Sequence, residues 1–291
     1  SLDSVMCSGN TITDIPKDLP VKTSFLILND TNMNVINEHS LANRDLLLRF
    51  SLTYSRLDAT ITADMFKGLA GLLDLDLSKN QLSTGIFDEL VNLKVLKLHH
   101  NKITSLPPQV FWSLRNLTIL YLSSNRLQAI PEKSFYNLPK MSKLTIFNNP
   151  LLSLPDQLMG HMALERFFFV DLKKNHLKTL PGDIFLSNTA MKALSLSGNP
   201  WECTCSIRGI AKWIRHNENV VPDNLKQITH VICFPLVVKA SNCMKKQHIL
   251  KTLLTVTFGL NILYYVQMSF YSFFIYFLYY MYINIHIQIY I

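Results

Sequence analysis

The residues best equipped for chemistry are few and scattered. His99 and His100 stand side by side, with Lys97 two positions before them, a grouping that could hold a metal ion or polar ligand weakly. Adjacent strand residues point to opposite faces, although this pair sits where a strand turns, and the plain reading is a solvated face. Cys203 and Cys205 form a C-x-C pair, but no second ligand pair follows at zinc spacing. Cys7, Cys233 and Cys243 bring the cysteine count to an odd five. No G-x-S-x-G, H-E-x-x-H, P-loop or G-x-G-x-x-G occurs, and no Ser or Cys has a base at readable spacing. The sequence therefore predicts no enzyme, no resident metal and no cofactor. Two N-x-[ST] sequons, at Asn29 and Asn116, would accept glycans in an oxidising secretory compartment.

The elements that carry these residues repeat. L-x-x-L-x-L-x-x-N-x-L appears in 72–82, 93–103 and 117–127, recurs in 141–151, 167–177 and 191–201, and is degenerate at 23–33 and 47–57. Successive starts are 24, 25, 21, 24, 24, 26 and 24 residues apart. Leu75 and Leu77, like Leu96 and Leu98 or Leu120 and Leu122, alternate as a short strand with one face inward. Asn80, Asn101, Asn125, Asn149, Asn175 and Asn199 recur at the turn that follows, where an amide can satisfy backbone groups buried between repeats. Thr31 and Ser55 replace them in the first two copies, which predicts a weaker ladder there. Leu106-Pro107, Ile130-Pro131, Leu154-Pro155 and Leu180-Pro181 turn the chain outward, and Phe111, Phe135 and Phe185 then point back in as a stacked spine. The 21-residue interval, QLSTGIFDEL, lacks its L-P step and predicts either a local defect in the arc or the loss of a few residues.

This pattern resembles the extracellular type of leucine-rich repeat over roughly residues 5–220. The spacing and L-P turns look most like secreted members of the leucine-rich alpha-2-glycoprotein and carboxypeptidase N regulatory-subunit kind. The resemblance implies an α/β-type solenoid: a right-handed curved arc with a parallel concave sheet, an irregular or short-helical convex side, and cysteine-rich caps. VMCSGNTITDIPKDLP resembles the end of the amino-terminal cap, which implies partners for Cys7 upstream of Ser1. NPWECTCSIRGIAKWIRHN resembles the carboxy-terminal cap, with Trp201, Cys203, Cys205, Ile210 and Trp213 at its positions. The family pairing implies Cys203–Cys233 and Cys205–Cys243, although the short interval between Cys233 and Cys243 departs from the cap pattern. The expected boundaries are a partial cap at 1–22, about eight repeats over 23–198, a second cap at 199–243 and an apolar tail at 244–291.

Charge follows this division. Residues 1–202 hold 20 Lys and Arg against 18 Asp and Glu, whereas 203–291 hold 8 against 2. The basic balance belongs to the tail and gives no support to nucleic-acid binding. Residues 252–291 are long and apolar enough to span a bilayer, and three readings stay open: a membrane span, a lipid-anchor signal, or translated noncoding sequence.

With no catalytic constellation, function is expected on the concave face. Reading across the repeats, that face carries Asp74, Asp76 and Lys79; Val95, Lys97 and His99; Ile119, Tyr121 and Ser123; Lys143, Thr145 and Phe147; Phe169, Asp171 and Lys173. Ile119, Tyr121, Phe147 and Phe169 group on neighbouring strands, flanked by Lys97, Lys143 and Asp171. Large apolar side chains on an otherwise polar sheet predict a protein-binding site. The expectation is an extracellular, secreted binding module for a protein ligand. The alternative is a receptor or adhesion ectodomain held at the plasma membrane by 252–291.

Overall fold

A computed structural model describes residues 3–37, 39–58, 62–82, 87–156, 158, 168–185, 191–202 and 207–221. The chain divides into units Ser1–Phe234 and Pro235–Ile291, and all described residues belong to the first. Cys203, Cys205, Cys233 and Cys243, and the tail at 252–291, lie outside the described residues. Among those described, no helix is long and apolar enough to cross a membrane.

The repeats form one parallel sheet in strict sequence order. Its strands are β1 (Asp3–Gly9), β2 (Thr23–Thr31), β3 (Arg49–Thr53), β4 (Asp74–Asp76), β5 (Val95–Lys97), β6 (Ile119–Tyr121), β7 (Lys143–Thr145), β8 (Phe168–Asp171) and β9 (Met191–Ser195). Leu75, Leu96, Leu120, Leu144 and Val170 stand in one register row and are wholly or almost wholly buried. Each strand is too short to hold itself, and stacking of successive rows supplies the core. The convex side is irregular, with a 3-10 turn at Ala63–Phe66. One strand was not foreseen. β1 precedes the first repeat and pairs with β2, so the amino-terminal segment is sheet and not only cap. Cys7 lies on β1, packs partly against the core, and has no disulfide partner among the described residues.

The asparagine ladder has a two-to-one logic. Asn125 Nδ2 donates to Leu122 O of its own repeat and to Leu98 O of the preceding one, both at 2.9 Å. Its Oδ1 accepts the Ile103 amide at 3.1 Å. Asn101 Nδ2 also donates to Leu98 O, and Asn149 Nδ2 also donates to Leu122 O, so these buried carbonyls each use both lone pairs. At the amino-terminal end Thr31 Oγ1 and Ser55 Oγ share one hydrogen bond of 2.6 Å, a thinner connection than any amide step. The residue before each ladder position is left-handed: φ is 51–58° at Asp30, Tyr54, Lys79, His100, Ser124, Asn148 and Lys174, and 72° at Gly198. That turn swings the asparagine inward and aims its own N–H at the next repeat, as in His100 N to Ser123 O at 3.0 Å.

The short interval leaves no defect in the sheet. β4 and β5 pair in register through Leu75 and Leu96, and Asn101 still reaches Leu77 O at 2.9 Å. The shorter spacing thus leaves the strand pairing and the ladder in register; residues 83–86 are outside the described set. Phe87 occupies the spine position, stacked 6.5 Å from Phe111, which stacks 6.0 Å from Phe135. Buried Phe66 and Phe87 thus extend the three-member spine read from sequence.

The carboxy-terminal end is closed by α1 (Arg208–His216), which buries Ile210, Ala211 and Ile214. Trp213 packs at 5.4 Å on Phe185, the last spine ring, and Trp201 Nε1 donates to Leu196 O. Gly182 and Gly209 allow this approach: a Cβ on Gly209 would stand 2.5 Å from Gly182 Cα.

Candidate functional site

The sheet register assembles the concave residues. Ile119, Lys143 and Phe169 form one row across β6, β7 and β8. Lys97, Tyr121, Thr145 and Asp171 form the next, across β5 to β8. Phe147 follows β7 beside Ser123, since Ser124 N donates to Phe147 O. Ile119, Tyr121 and Phe147 are half-buried, whereas Phe169 is 47% exposed. Ile119 and Tyr121 on β6, Phe147 after β7 and Phe169 on β8 thus make an apolar strip interrupted by Lys143, with Val95 of β5 beside Ile119 in the same row.

The flanking charges are largely matched within the chain. Lys97 Nζ lies 3.1 Å from Asp76 Oδ2 and 3.9 Å from Asp74 Oδ1, and Arg49 holds Asp74 at 3.0 Å. Lys173 faces Asp171 at 3.8 Å. Lys143 differs, because its ammonium lies 5.1 Å from the centroid of the Tyr121 ring. That cation–π contact fixes the ring as part of the apolar strip. Lys79 is displaced from the expected face: it is the left-handed residue beyond Ser78, and Ser78 is the repeat equivalent of His99.

The histidine pair also differs from the solvated reading. His99 and His100 do not diverge to opposite faces; their rings are 5.5 Å apart because the strand turns between them. His99 is half-buried and meets Tyr121 edge-on at 5.9 Å. Burial lowers its pKa below the ordinary 6.5, with Asp76 opposing that shift. His99 Nδ1, like Ser123 Oγ and Thr145 Oγ1 on the next two repeats and Asp74 Oδ1 two rows away, is buried without a hydrogen-bond partner among the described residues. Such atoms are uncommon in folded proteins, where a buried polar group is ordinarily paired with protein or ordered water. Sequence reasoning placed Ser123 and Thr145 on the concave face as part of a solvated surface, whereas the structure buries both. Among the described residues no cluster of His, Cys, Asp and Glu could hold a metal ion.

The sequons occupy different faces. Asn29 lies on β2, pairs with Ser8 and Thr53, and accepts a 2.8 Å bond from Thr53 Oγ1. Asn116 is on the turn before β6, where its Nδ2 donates to Val91 O at 3.0 Å and Lys140 Nζ donates to its Oδ1 at 2.6 Å.

Comparison with known proteins agrees with this architecture. The family model described as Leucine rich repeat matches residues 81–127, 91–151 and 115–167. Chondroadherin of Rattus norvegicus is 40% identical over 45 residues, which are 16% of this chain and 12% of that protein. Human chondroadherin is 38% identical over a stretch of the same length. The chain thus matches only about an eighth of these relatives' length. Among solved structures, human 5T4 (Wnt-activated inhibitory factor 1, trophoblast glycoprotein) superposes with a TM-score of 0.59 at 26% identity, covering 75% of this chain and 84% of 5T4. A leucine-rich repeat protein of Leptospira interrogans gives 0.55 at 27%, covering 67% of this chain and 48% of its own. The chain thus carries leucine-rich repeats and is similar in sequence to chondroadherin and in fold to 5T4.

Proposed function

From a leucine-rich repeat solenoid with an apolar strip across its concave sheet, we propose a binding module that holds a protein ligand against β5 to β8, and not an enzyme. The observation that carries this reading is the placement of Ile119, Tyr121, Phe147 and Phe169 on three adjacent strands around Lys143, with polar atoms of His99, Ser123 and Thr145 that have no hydrogen-bond partner among the described residues on the same strands and on β5. Repeats of this kind typically bind proteins, and a rigid sheet presents its side chains without an ordering cost at association. A ligand that covers the strip with aliphatic or aromatic groups and offers donors and acceptors to the buried atoms fits both features.

The module is proposed to be extracellular and secreted, with glycans at Asn29 and Asn116 and disulfides Cys203–Cys233 and Cys205–Cys243. Its likeness to a trophoblast glycoprotein supports that setting. A glycan at Asn29 would stand on the concave sheet four strands from β6, about 19 Å away, and leave the strip open. Anchoring at the plasma membrane through 252–291 is the alternative, separated by fractionating cells with and without lipase release. The binding test is capture of plasma proteins on the immobilised full chain, read by mass spectrometry, followed by affinity measurement on the captured partner. Tyr121→Ala with Phe147→Ala should weaken binding by more than about 2 kcal/mol, roughly 30-fold, with little change in melting temperature. Unchanged affinity would place the ligand on the convex side or the caps.

A further inference from the structure

The cations of this protein are not distributed like its carboxylates. Two residues flank every ladder asparagine at the edge where the strands end, the left-handed one before it and the one after it. From β4 to β8 these positions are Lys79 and Gln81, His100 and Lys102, Ser124 and Arg126, Asn148 and Pro150, and Lys174 and His176. Six of the ten are basic and none is acidic. On the concave sheet, by contrast, Arg49, Lys97 and Lys173 all face carboxylates within 4 Å. None of the four edge cations, Lys79, Lys102, Arg126 and Lys174, has a carboxylate partner among the described residues. Lys102 donates to Gln81 Oε1 at 2.6 Å and Lys79 to the Tyr54 hydroxyl, both neutral groups.

The edge is also grooved. An open depression of about 380 Å³ runs over four repeats, lined by Arg126, Lys174 and His176 together with Asn101, Asn125 and Asn149. Ser124 and Asn148, joined by a 3.1 Å bond, supply a hydroxyl and an amide between the cations. Four strand spacings separate Lys79 from Lys174, about 19 Å, so the row matches an extended chain better than a single small ion.

We propose that this strand-end edge binds a sulfated linear polysaccharide, with Lys79, Lys102, Arg126 and Lys174 meeting sulfates and Ser124 and Asn148 meeting sugar hydroxyls. Uncompensated cations at repeat spacing give up little when they pair with an external anion, because no internal ion pair must break. Single-stranded nucleic acid fits less well, since no Phe, Tyr or Trp stands in these rows from Lys79 to His176 to stack a base. An anionic membrane fits less well too, because Pro150 is the sole apolar side chain in that stretch of the rows and nothing there inserts below the headgroups.

The test uses the full chain, size-defined heparin as the probe, and affinity measured at several salt concentrations. Lys102→Gln with Arg126→Gln and Lys174→Gln keeps the aliphatic stems and removes three charges. Affinity near physiological salt should fall at least tenfold, and the slope of log affinity against log salt should drop by about two to three, one counterion per lost contact. Lys17→Gln with Lys22→Gln and Lys67→Gln removes three exposed lysines away from this edge and should stay within twofold of the parent. Circular dichroism melts establish that both variants are folded, and Arg126→Glu alone is a second, milder probe of the same site, expected to lose affinity in the same direction. The proposal is overturned if the edge variant binds heparin like the parent, or if the off-edge variant loses as much. It is also overturned if fully desulfated heparin binds equally well, or if single-stranded DNA or phosphatidylserine vesicles bind more tightly through the same residues.

Discussion

Replacing Asn125 by Ala tests the ladder at its centre. The side chain makes two good bonds to buried carbonyls, Leu98 O and Leu122 O, and accepts one from the Ile103 amide. The carbonyls are not orphaned by the change, because Asn101 and Asn149 still donate to them at 3.0 and 3.1 Å. Losing one of two donors costs each about 0.5–1.5 kcal/mol. The Ile103 amide loses its partner altogether, which costs about 1–3 kcal/mol for a buried N–H. The terms bracket about 2–6 kcal/mol, and water entering the space left by the amide should bring the result toward the lower half, about 2–4 kcal/mol. Ser55→Ala, which removes one hydroxyl pair at the other end, should cost about 1 kcal/mol. Repeat arrays do not always unfold in one step, so the assay pairs a urea titration with amide exchange read at Ile103. Exchange at Ile103 should accelerate more than at distant strands. An unchanged urea midpoint, or Ile103 protection equal to the parent's, would refute the ladder argument.

Two further perturbations probe the site and the cap. Burial lowers the His99 pKa in the folded state, so the unfolded chain binds the proton more readily. Stability from this group is therefore full above about pH 7 and is lost as pH falls below the ordinary 6.5 toward the lowered folded value. Melting temperature followed from pH 8 to 5 should decline less in His99→Gln than in the parent, and identical pH profiles would remove the burial argument. Gly209→Ala places a methyl 2.5 Å from Gly182 Cα, so α1 must back away from the last repeat and loosen Trp213 from Phe185. Overpacking of about 1–3 kcal/mol is offset by roughly 1 kcal/mol of helix propensity, which predicts a net loss of about 0–2 kcal/mol in a thermal melt. A gain in stability would mean that the cap does not sit against Gly182.

What the sequence alone determined is the periodic part. Leucine alternation and the recurring asparagine specify strand, turn and inward face once per repeat, because each repeat solves the same burial problem with the same residue types. The concave rows were legible for the same reason: one register holds from β4 to β8, so Ile119, Tyr121 and Phe169 could be placed on one face before any coordinates. Tertiary structure decided what depends on neighbours of unlike type. It brought β1 onto the sheet, because DSVMCSG lacks the repeat's leucines and its pairing is set by the edge of β2. It turned His99 against Tyr121, left Ser123 and Thr145 buried without partners, and matched Lys97 to Asp76, since these contacts run between repeats that differ by chance of substitution and not by pattern. The unpaired cations of the strand-end edge belong to the same class. In the chain Lys79, Lys102, Arg126 and Lys174 follow one another at intervals of 23–48 residues, and only the solenoid's stacking turns that spacing into a single row of like charge.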